Sequence, residues 1–264
     1  MLLAIDVGNT HTVLGCFWSA GQRDPKGPSL SLKKTWRLST HPICTADEFR
    51  TKLYTLLKLE GLDIKAFSAT VVSSVVPSFT AMLRNAFRDQ AISFLDHTSP
   101  FSFRIKADPP GQVGADRLVN SEAAIRIYGA PAIIIDSGTA TTLCAISAEQ
   151  EYLGGAIMPG IELSIETLAK NTAKLFAVEL VPPERAIGGS TQEALRSGIL
   201  LGYASMIDGM VERFKKELKP LEPMVVATGG ISQLLKGLTT QINHFDADLT
   251  LKGIAFLYDS IRSR

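Results

Sequence analysis

Apolar positions along the chain fall into short strand-like runs, and these runs alternate with helical patterns. The run Leu2–Val7 is almost wholly apolar, which is typical of a buried strand, and residues 12–18 predict its hairpin partner. Thr45 and Glu48 have the spacing of a capping box, and an apolar stripe begins at Phe49. The pattern therefore predicts a helix that starts at Thr45.

The remaining elements continue this alternation. Ser190 and Glu193 form a second predicted capping box, at the start of a long helix, and residues 21–28 predict a loop because they are rich in Gly, Pro and polar side chains. Strands are predicted at residues 34–38, 69–76, 133–136, 141–146, 152–157 and 224–228, and helices at residues 79–87, 116–128 and 249–261. Strand runs followed by helices, twice over, predict two α/β halves.

One sequence pattern occurs at the head of both halves. Each copy is an apolar strand that ends in Asp, any residue, Gly and a polar turn that closes on Thr; the copies are residues 6–12 (DVGNTHT) and residues 136–142 (DSGTATT). The two Asp residues are 130 positions apart in a chain of 264 residues. Because the match stands at the same place in each half, we interpret it as a gene duplication.

An Asp-x-Gly-x-Thr turn has the groups that a phosphate requires. The Gly allows close approach of the backbone to a ligand, and the N–H groups and Thr hydroxyls of the turn can hold phosphate oxygens. The Asp at the strand end can hold a cation or its water shell. An ordinary β-hairpin turn is the alternative for either copy alone, whereas two matched copies favour polyphosphate binding.

Two further segments add candidate ligand contacts. Gly114-Ala115-Asp116-Arg117 stands at a loop-to-helix junction, where a positive dipole end attracts anions and where an Arg is suited to a carboxylate or phosphate. Asp116 could instead simply cap the helix. Gly229-Gly230 follows a predicted strand and would allow a flat ligand such as adenine to approach, or would form a tight turn. The sequence contains neither a Walker A motif nor G-x-G-x-x-G.

Four segments in order resemble type III pantothenate kinase, a family of the actin/sugar-kinase/Hsp70 superfamily. They are residues 6–10, 114–117, 136–142 and 154–160, and the resemblance covers essentially the whole chain. It implies an α/β fold of two RNase H-like halves with the nucleotide in the cleft between them. The expected halves are residues 1–115, joined by a C-terminal helix at about 249–264, and residues 116–248.

The resemblance also implies ATP-dependent phosphorylation of pantothenate, the first step of coenzyme A synthesis. It implies Asp116 as the general base, Asp6 near Mg²⁺ and Asp136 as the ligand of a monovalent cation, K⁺ or NH₄⁺. The implied ATP contacts are Asp6, Val7, Gly8, Asn9, Thr10, His11, Thr12, Val13 and Thr139. The implied substrate contacts are Gly114, Ala115, Asp116, Arg117 and Thr191.

One position departs from the family pattern. The family often has a substrate-contacting Tyr seven residues before the first Gly of the G-x-D-R motif, and here that position is Ala107. This departure concerns the pantothenate pocket rather than the phosphoryl chemistry. The resemblance further implies a homodimer whose interface helps to form the substrate site.

Composition and charge limit the classes of partner and the cellular location that the sequence predicts. With 27 Lys and Arg against 26 Asp and Glu, the net charge of +1 argues against a broad nucleic-acid-binding surface. Three widely spaced Cys residues and an N-terminus without a signal-peptide pattern predict a cytoplasmic protein. No membrane partner is expected. Two other functions stay open: another kinase or phosphatase of the superfamily, and a non-catalytic ATP-binding transcription accessory protein.

Overall fold

The computed structural model describes residues 1–18, 26–171 and 178–263. The chain divides into two compact units, the first made of Met1–Ile127 with Asp248–Arg264 and the second of Tyr128–Ala247. The sequence-based boundary, between residues 115 and 116, differs from this division by one helix. Most of the loop predicted at 21–28 lies outside the described residues.

The first unit contains a five-stranded sheet whose middle strand is the first of the chain. Its strands are β1 (Leu2–Val7), β2 (His11–Trp18), β3 (Ser31–Ser39), β4 (Ala69–Ser74) and β5 (Ile92–Phe94), and a short strand, β6 (Arg104–Ile105), follows them in the chain. The order is β3-β2-β1-β4-β5; β2 is antiparallel to both its neighbours, and β4 is parallel to β1 and β5. The helices are α1 (Ala46–Leu59), α2 (Pro77–Ala86), α3 (Ala115–Tyr128) and the last of the chain, α6 (Leu249–Arg262).

Strand β1 is apolar apart from Asp6 because helices cover both of its faces. Leu3, Ile5 and Val7 pack into one core cluster with buried residues of α1 and α2. Leu2 and Ala4 point to the opposite face and pack with residues of α6.

Helices α3 and α6 touch closely enough to assign α3 to the first unit. A Cβ on Gly253 of α6 would lie 2.2 Å from the carbonyl oxygen of Val119 on α3, so only the bare glycine permits this approach. Val119 also belongs to the core cluster that contains Leu2 and Ala4. This packing places the division after α3 rather than before it.

The second unit repeats the strand pattern of the first. Its strands are β7 (Ala132–Ser137), β8 (Ala140–Ile146), β9 (Glu151–Pro159), β10 (Met224–Thr228) and β11 (His244–Phe245), and its helices are α4 (Ile161–Asn171) and α5 (Thr191–Glu217). These strands lie in the order β9-β8-β7-β10-β11, with the same parallel and antiparallel pairings as their counterparts. Helix α4 was not predicted from the sequence.

Burial repeats as well. The sequence of buried and half-buried positions in β1 is identical, position by position, to that in β7, and the first seven positions of β2 match those of β8. Ile133 and Ile135 of β7 pack with residues of α5, as Leu3 and Ile5 pack with helices of the first unit. Matching order, direction and burial support the interpretation of the two units as a duplication.

Of the two predicted capping boxes, the first is complete in the structure and the second is only partly formed. Thr45 and Glu48 form a complete capping box at the start of α1. At α5 the Ser190 hydroxyl accepts the Glu193 N–H at 3.2 Å, but the Glu193 carboxylate accepts the N–H of Gly189, at 2.6 Å, so the second box is only half formed. Among the described helices, none combines the length and the apolar character that a membrane span requires.

Candidate active site

The first predicted phosphate turn lies at the carboxyl end of β1. Gly8 donates its N–H to the carbonyl oxygen of His11, with the two atoms 3.0 Å apart, and this bond closes the turn. Its tip is exposed, from Asn9 to His11, whereas Asp6 and Val13 are half-buried and Val7 and Thr12 are buried. The backbone of the tip is therefore open to solvent, and the buried residues on either side of it hold the turn in place.

The second turn lies at the carboxyl end of β7 and is one residue shorter. Gly138 donates its N–H to the carbonyl oxygen of Ala140 at 3.1 Å, and Thr139 at the tip is exposed. Asp136 is half-buried at the strand end, as Asp6 is in the first unit. Because Val7 pairs with Thr12 and Ser137 pairs with Thr141, the structural counterpart of Thr12 is Thr141 rather than Thr142, which the sequence echo had paired with it.

Two glycines support the second turn from behind. A Cβ on Gly160 would lie 2.3 Å from the Gly138 carbonyl oxygen, and a Cβ on Gly229 would lie 2.5 Å from that of Ser137. The sequence analysis left two interpretations open for Gly229-Gly230, the approach of a flat ligand or a tight turn. The structure places protein backbone against the bare side of Gly229, so this glycine is required for packing of the turn.

Helix α3 places the G-x-D-R motif at the edge of the first turn. Val75, just after β4, donates its N–H to the Val7 carbonyl oxygen at 3.1 Å. A Cβ on Gly114 would lie 3.5 Å from a methyl carbon of that Val75. The structure thus brings the Asp6–Val13 and Gly114–Arg117 segments to the same end of the sheet.

Asp116 has a carboxyl group largely removed from water, although the residue as a whole keeps some exposure. This burial raises its pKa, against the opposing effects of the Arg117 N–H, which Oδ1 accepts at 2.8 Å, and of the Arg117 charge. A carboxylate with a raised pKa is a better proton acceptor than an ordinary Asp. This direction of the pKa shift is compatible with the general-base role that the sequence resemblance implies.

Gly114→Ala should disturb this carboxylate. The new Cβ would lie 2.4 Å from Oδ1 of Asp116, so the carboxyl group must move. If Asp116 is the base that the resemblance implies, kcat should fall by at least about tenfold with little change in KM for ATP, because displacing a base from its productive position lowers the rate steeply.

Gly111→Ala is the matched control in the same loop, since its Cβ would meet nothing nearer than a His97 ring atom at 3.5 Å. Steady-state kinetics of both variants checks the expectation. Equal kcat values for the two variants would contradict it.

Thr191, unlike the other predicted substrate contacts, belongs to the second unit. It is the exposed first residue of α5 and lies twelve residues, or about 18 Å along the helix axis, before Tyr203. Tyr203 of α5 does reach the second turn, through a hydrogen bond between its hydroxyl and that of Thr141.

Sequence reasoning missed two buried hydroxyl residues behind the turns. Tyr203 supports the second turn, and burial raises the pKa of its hydroxyl. Thr40, directly after β3, donates its hydroxyl to the carbonyl oxygen of Gly8 at 2.8 Å. Neither stands in a motif, so no sequence signal indicated them.

The oxygen atoms near the second turn fit a cation that is only partly held by protein. Asp136 Oδ1 and the Ser137 carbonyl oxygen lie together beside Gly229. Among the described residues, no group of three or more His, Cys, Asp or Glu side chains could hold a metal ion. Hard cations prefer oxygen ligands, and those that bind with nucleotides are completed by phosphate and water. The donor set therefore suits such a cation.

Comparison with known proteins identifies the family. Residues 2–213 match the family model for type III pantothenate kinase. The chain belongs to the type III pantothenate kinase family. A type III pantothenate kinase of Rubrobacter xylanophilus is 44% identical over 272 residues, covering 100% of this chain and 99% of the relative. One of Roseiflexus sp. is 39% identical over 267 residues, covering 100% of both chains.

Solved structures agree on the fold of this pantothenate kinase family member. The activator of the 2-hydroxyisocaproyl-CoA dehydratase from Clostridium difficile, solved with bound ADPNP, aligns with a TM-score of 0.58 at 13% identity. The alignment covers 99% of this chain and 96% of that one. At this identity the likeness shows the fold alone, which is that of the actin-like ATPases and sugar kinases, as the sequence resemblance implied.

Proposed function

We propose that this chain transfers the γ-phosphoryl group of ATP to the primary hydroxyl of pantothenate, the first step of coenzyme A synthesis. Membership in the type III pantothenate kinase family supports the reaction and substrate. The observation that carries the proposal is the position of Asp116, whose segment shares one end of the sheet with the Asp6–Val13 turn through Val75. A buried carboxylate beside a phosphate-type turn is the arrangement that a small-molecule kinase requires.

In this proposal the turns bind the phosphates. Backbone N–H groups at the exposed tip of the residue 6–13 turn, and Thr139 in the second turn, hold phosphate oxygens, so no excess of basic side chains is required. Asp6 would hold Mg²⁺, and Asp136 would hold the monovalent cation, K⁺ or NH₄⁺. When bound, these cations neutralise negative charge on the phosphate groups.

Asp116 acts on the acceptor hydroxyl. Phosphoryl transfer passes through a loose transition state, so the proton leaves the hydroxyl late and a carboxylate suffices to accept it. A positioned base contributes about 10²–10⁴-fold, and holding the hydroxyl in line supplies roughly 7–11 kcal/mol of the barrier reduction. Gly114, Ala115, Arg117 and Thr191 are proposed to contact pantothenate, Arg117 through its planar guanidinium on the carboxylate.

A coupled ADP-release assay tests the proposal. It would contain ATP, Mg²⁺ and K⁺ with pantothenate as acceptor, and a panel of sugars in parallel. We expect release that depends on pantothenate. Release with sugars alone would favour another kinase of the superfamily, and ATP binding without release from any acceptor would favour a non-catalytic role.

The proposed assembly is a homodimer, on the resemblance to the family. Sedimentation equilibrium at two protein concentrations tests this separately from the activity. A single species of 28.5 kDa at both concentrations would contradict it.

A further inference from the structure

We propose that Thr40 is a positioning residue that orients the first phosphate turn for ATP. The inference rests on the proposed function, in which residues 6–13 hold the phosphates. Thr40 follows β3 directly, is fully buried and contacts the turn from the side away from solvent.

Thr40 holds two carbonyl groups of the turn. Its hydroxyl donates to the Gly8 carbonyl oxygen at 2.8 Å, and its backbone N–H donates to the Thr10 carbonyl oxygen at 2.9 Å. The two bonds fix both sides of the exposed tip. The turn is therefore attached to the neighbouring strand as well as closed by its own hydrogen bond.

The hydroxyl of Thr12 completes this arrangement. The Thr12 and Thr40 hydroxyl oxygens are 3.0 Å apart, and both side chains are fully buried. A threonine hydroxyl has one hydrogen, and that of Thr40 is given to Gly8, so Thr12 donates to Thr40. Thr12, an implied ATP contact, thus directs its hydroxyl inward and supports the turn through Thr40.

Holding the Gly8 carbonyl inward has a consequence for the next amide. In a trans peptide the C=O and the following N–H point in opposite directions. The N–H of Asn9 therefore points away from the buried Thr40, and Asn9 is exposed. An N–H held in this direction is set to donate to a phosphate oxygen.

The second unit shows that the hydroxyl is specific to the first turn. Gly160 stands at the position of Thr40 and donates its N–H to the Thr139 carbonyl oxygen at 3.0 Å. It has no side chain, and a Cβ there would collide with the turn. The hydroxyl of Thr40 is therefore an addition to a backbone contact that both units share.

Thr40→Val tests the role, because it keeps the shape and removes the hydroxyl. Without its donor the Gly8 carbonyl must find another partner, and the peptide that aims Asn9 outward is no longer fixed. We expect the Kd and KM for ATP to rise about tenfold, with KM for pantothenate within about twofold of wild type. Thr40→Ser, which restores the hydroxyl, should return both ATP constants to near the wild-type values.

Thr70→Val is the matched control. Thr70 is also buried in this sheet, but near the amino end of β4, away from the turn. It should leave the Kd for ATP unchanged. A purely structural role for Thr40 would lower the melting temperature of Thr40→Val and leave the Kd for ATP as in wild type, which would overturn the proposal.

A measurement on the wild type covers the case in which Thr40→Val does not fold. The chain has five Asn residues, so ¹⁵N-Asn labelling gives few backbone amide signals. Mg·ATP should shift the Asn9 amide, and bound ATP without such a shift would overturn the proposal. Wild-type protein that binds no ATP would overturn this inference and the proposed function together, whereas normal ATP binding by Thr40→Val would overturn the inference alone.

Discussion

Asp116→Asn should lower kcat with pantothenate by at least about a hundredfold while the Kd for ATP stays within about threefold of wild type. Asn keeps the size of the side chain and can still accept the Arg117 N–H, but it cannot take the proton of the acceptor hydroxyl. Single-turnover kinetics and calorimetric titration of ATP separate the two effects. Asp89→Asn, at an exposed position, is the control and should match the wild type. Near-normal turnover by Asp116→Asn would exclude Asp116 as the base.

Because the pKa of Asp116 is raised, the effect of Asp116→Asn on the melting temperature should depend on pH. In the unfolded chain this carboxyl ionises at about pH 3.9, but in the folded protein burial raises its pKa. Its contribution to folding is therefore most favourable below pH 3.9 and is lost as the pH rises through the folded pKa. Asp116→Asn should raise the melting temperature most at neutral pH and least near pH 4. A gain that grows toward acid pH would contradict the burial of this carboxyl.

Gly229→Ala should disrupt the second turn. Gly229 has a φ of +93°, a conformation that costs an L-residue about 1–2 kcal/mol, and the added Cβ would also lie 2.5 Å from the Ser137 carbonyl oxygen and 2.7 Å from Asp136 Oδ1. Both oxygens belong to the turn, so the turn must move. We expect the free energy of unfolding to fall by about 2–4 kcal/mol and the Kd for ATP to rise at least about tenfold.

Gly237→Ala separates the effect of backbone strain at positive φ from the effect of the Cβ contact with the second turn. Gly237 has a similar φ of +85°, but a Cβ there would meet nothing within 4 Å. This variant should lose only about 1–2 kcal/mol and keep the wild-type Kd for ATP. Urea denaturation and titration of ATP on both variants provide the comparison. Equal losses of ATP affinity would mean that backbone strain, rather than contact with the turn, governs the second site.

Most of the fold could be predicted because buried strands and buried helix faces produce recognisable apolar patterns in the sequence. Strands β1 and β7 are buried on both faces, so each begins with a run of four apolar residues before its Asp. The Thr45 capping box marks the start of α1. Helix α4 was missed because it follows a glycine-rich segment and buries only Ile161 and Ile165 among its described residues. The boundary between units was missed because the contact of Gly253 with Val119 joins residues far apart in the chain.

The local structure of the candidate site was predictable where its residues stand in a short motif. Asp6, Asp136 and Asp116 stand in short patterns whose turns and helix start the structure reproduces. The supporting residues depend on tertiary contacts instead. Thr40 forms its hydrogen bond with Gly8, 32 positions earlier in the chain, and Tyr203 forms its hydrogen bond with Thr141, 62 positions earlier. The sequence does not indicate which distant residue an isolated hydroxyl group contacts, so these hydrogen bonds are visible only in the folded structure.

The packing of α6 also determines when each part of the protein can be completed during synthesis. The second unit is one continuous stretch, Tyr128–Ala247, whereas the first unit needs its final segment from Asp248 onward. Leu2 and Ala4 emerge from the ribosome well before α6, the helix that packs against them. The second unit can therefore fold while part of one apolar face of the first sheet still waits for α6 to be synthesised.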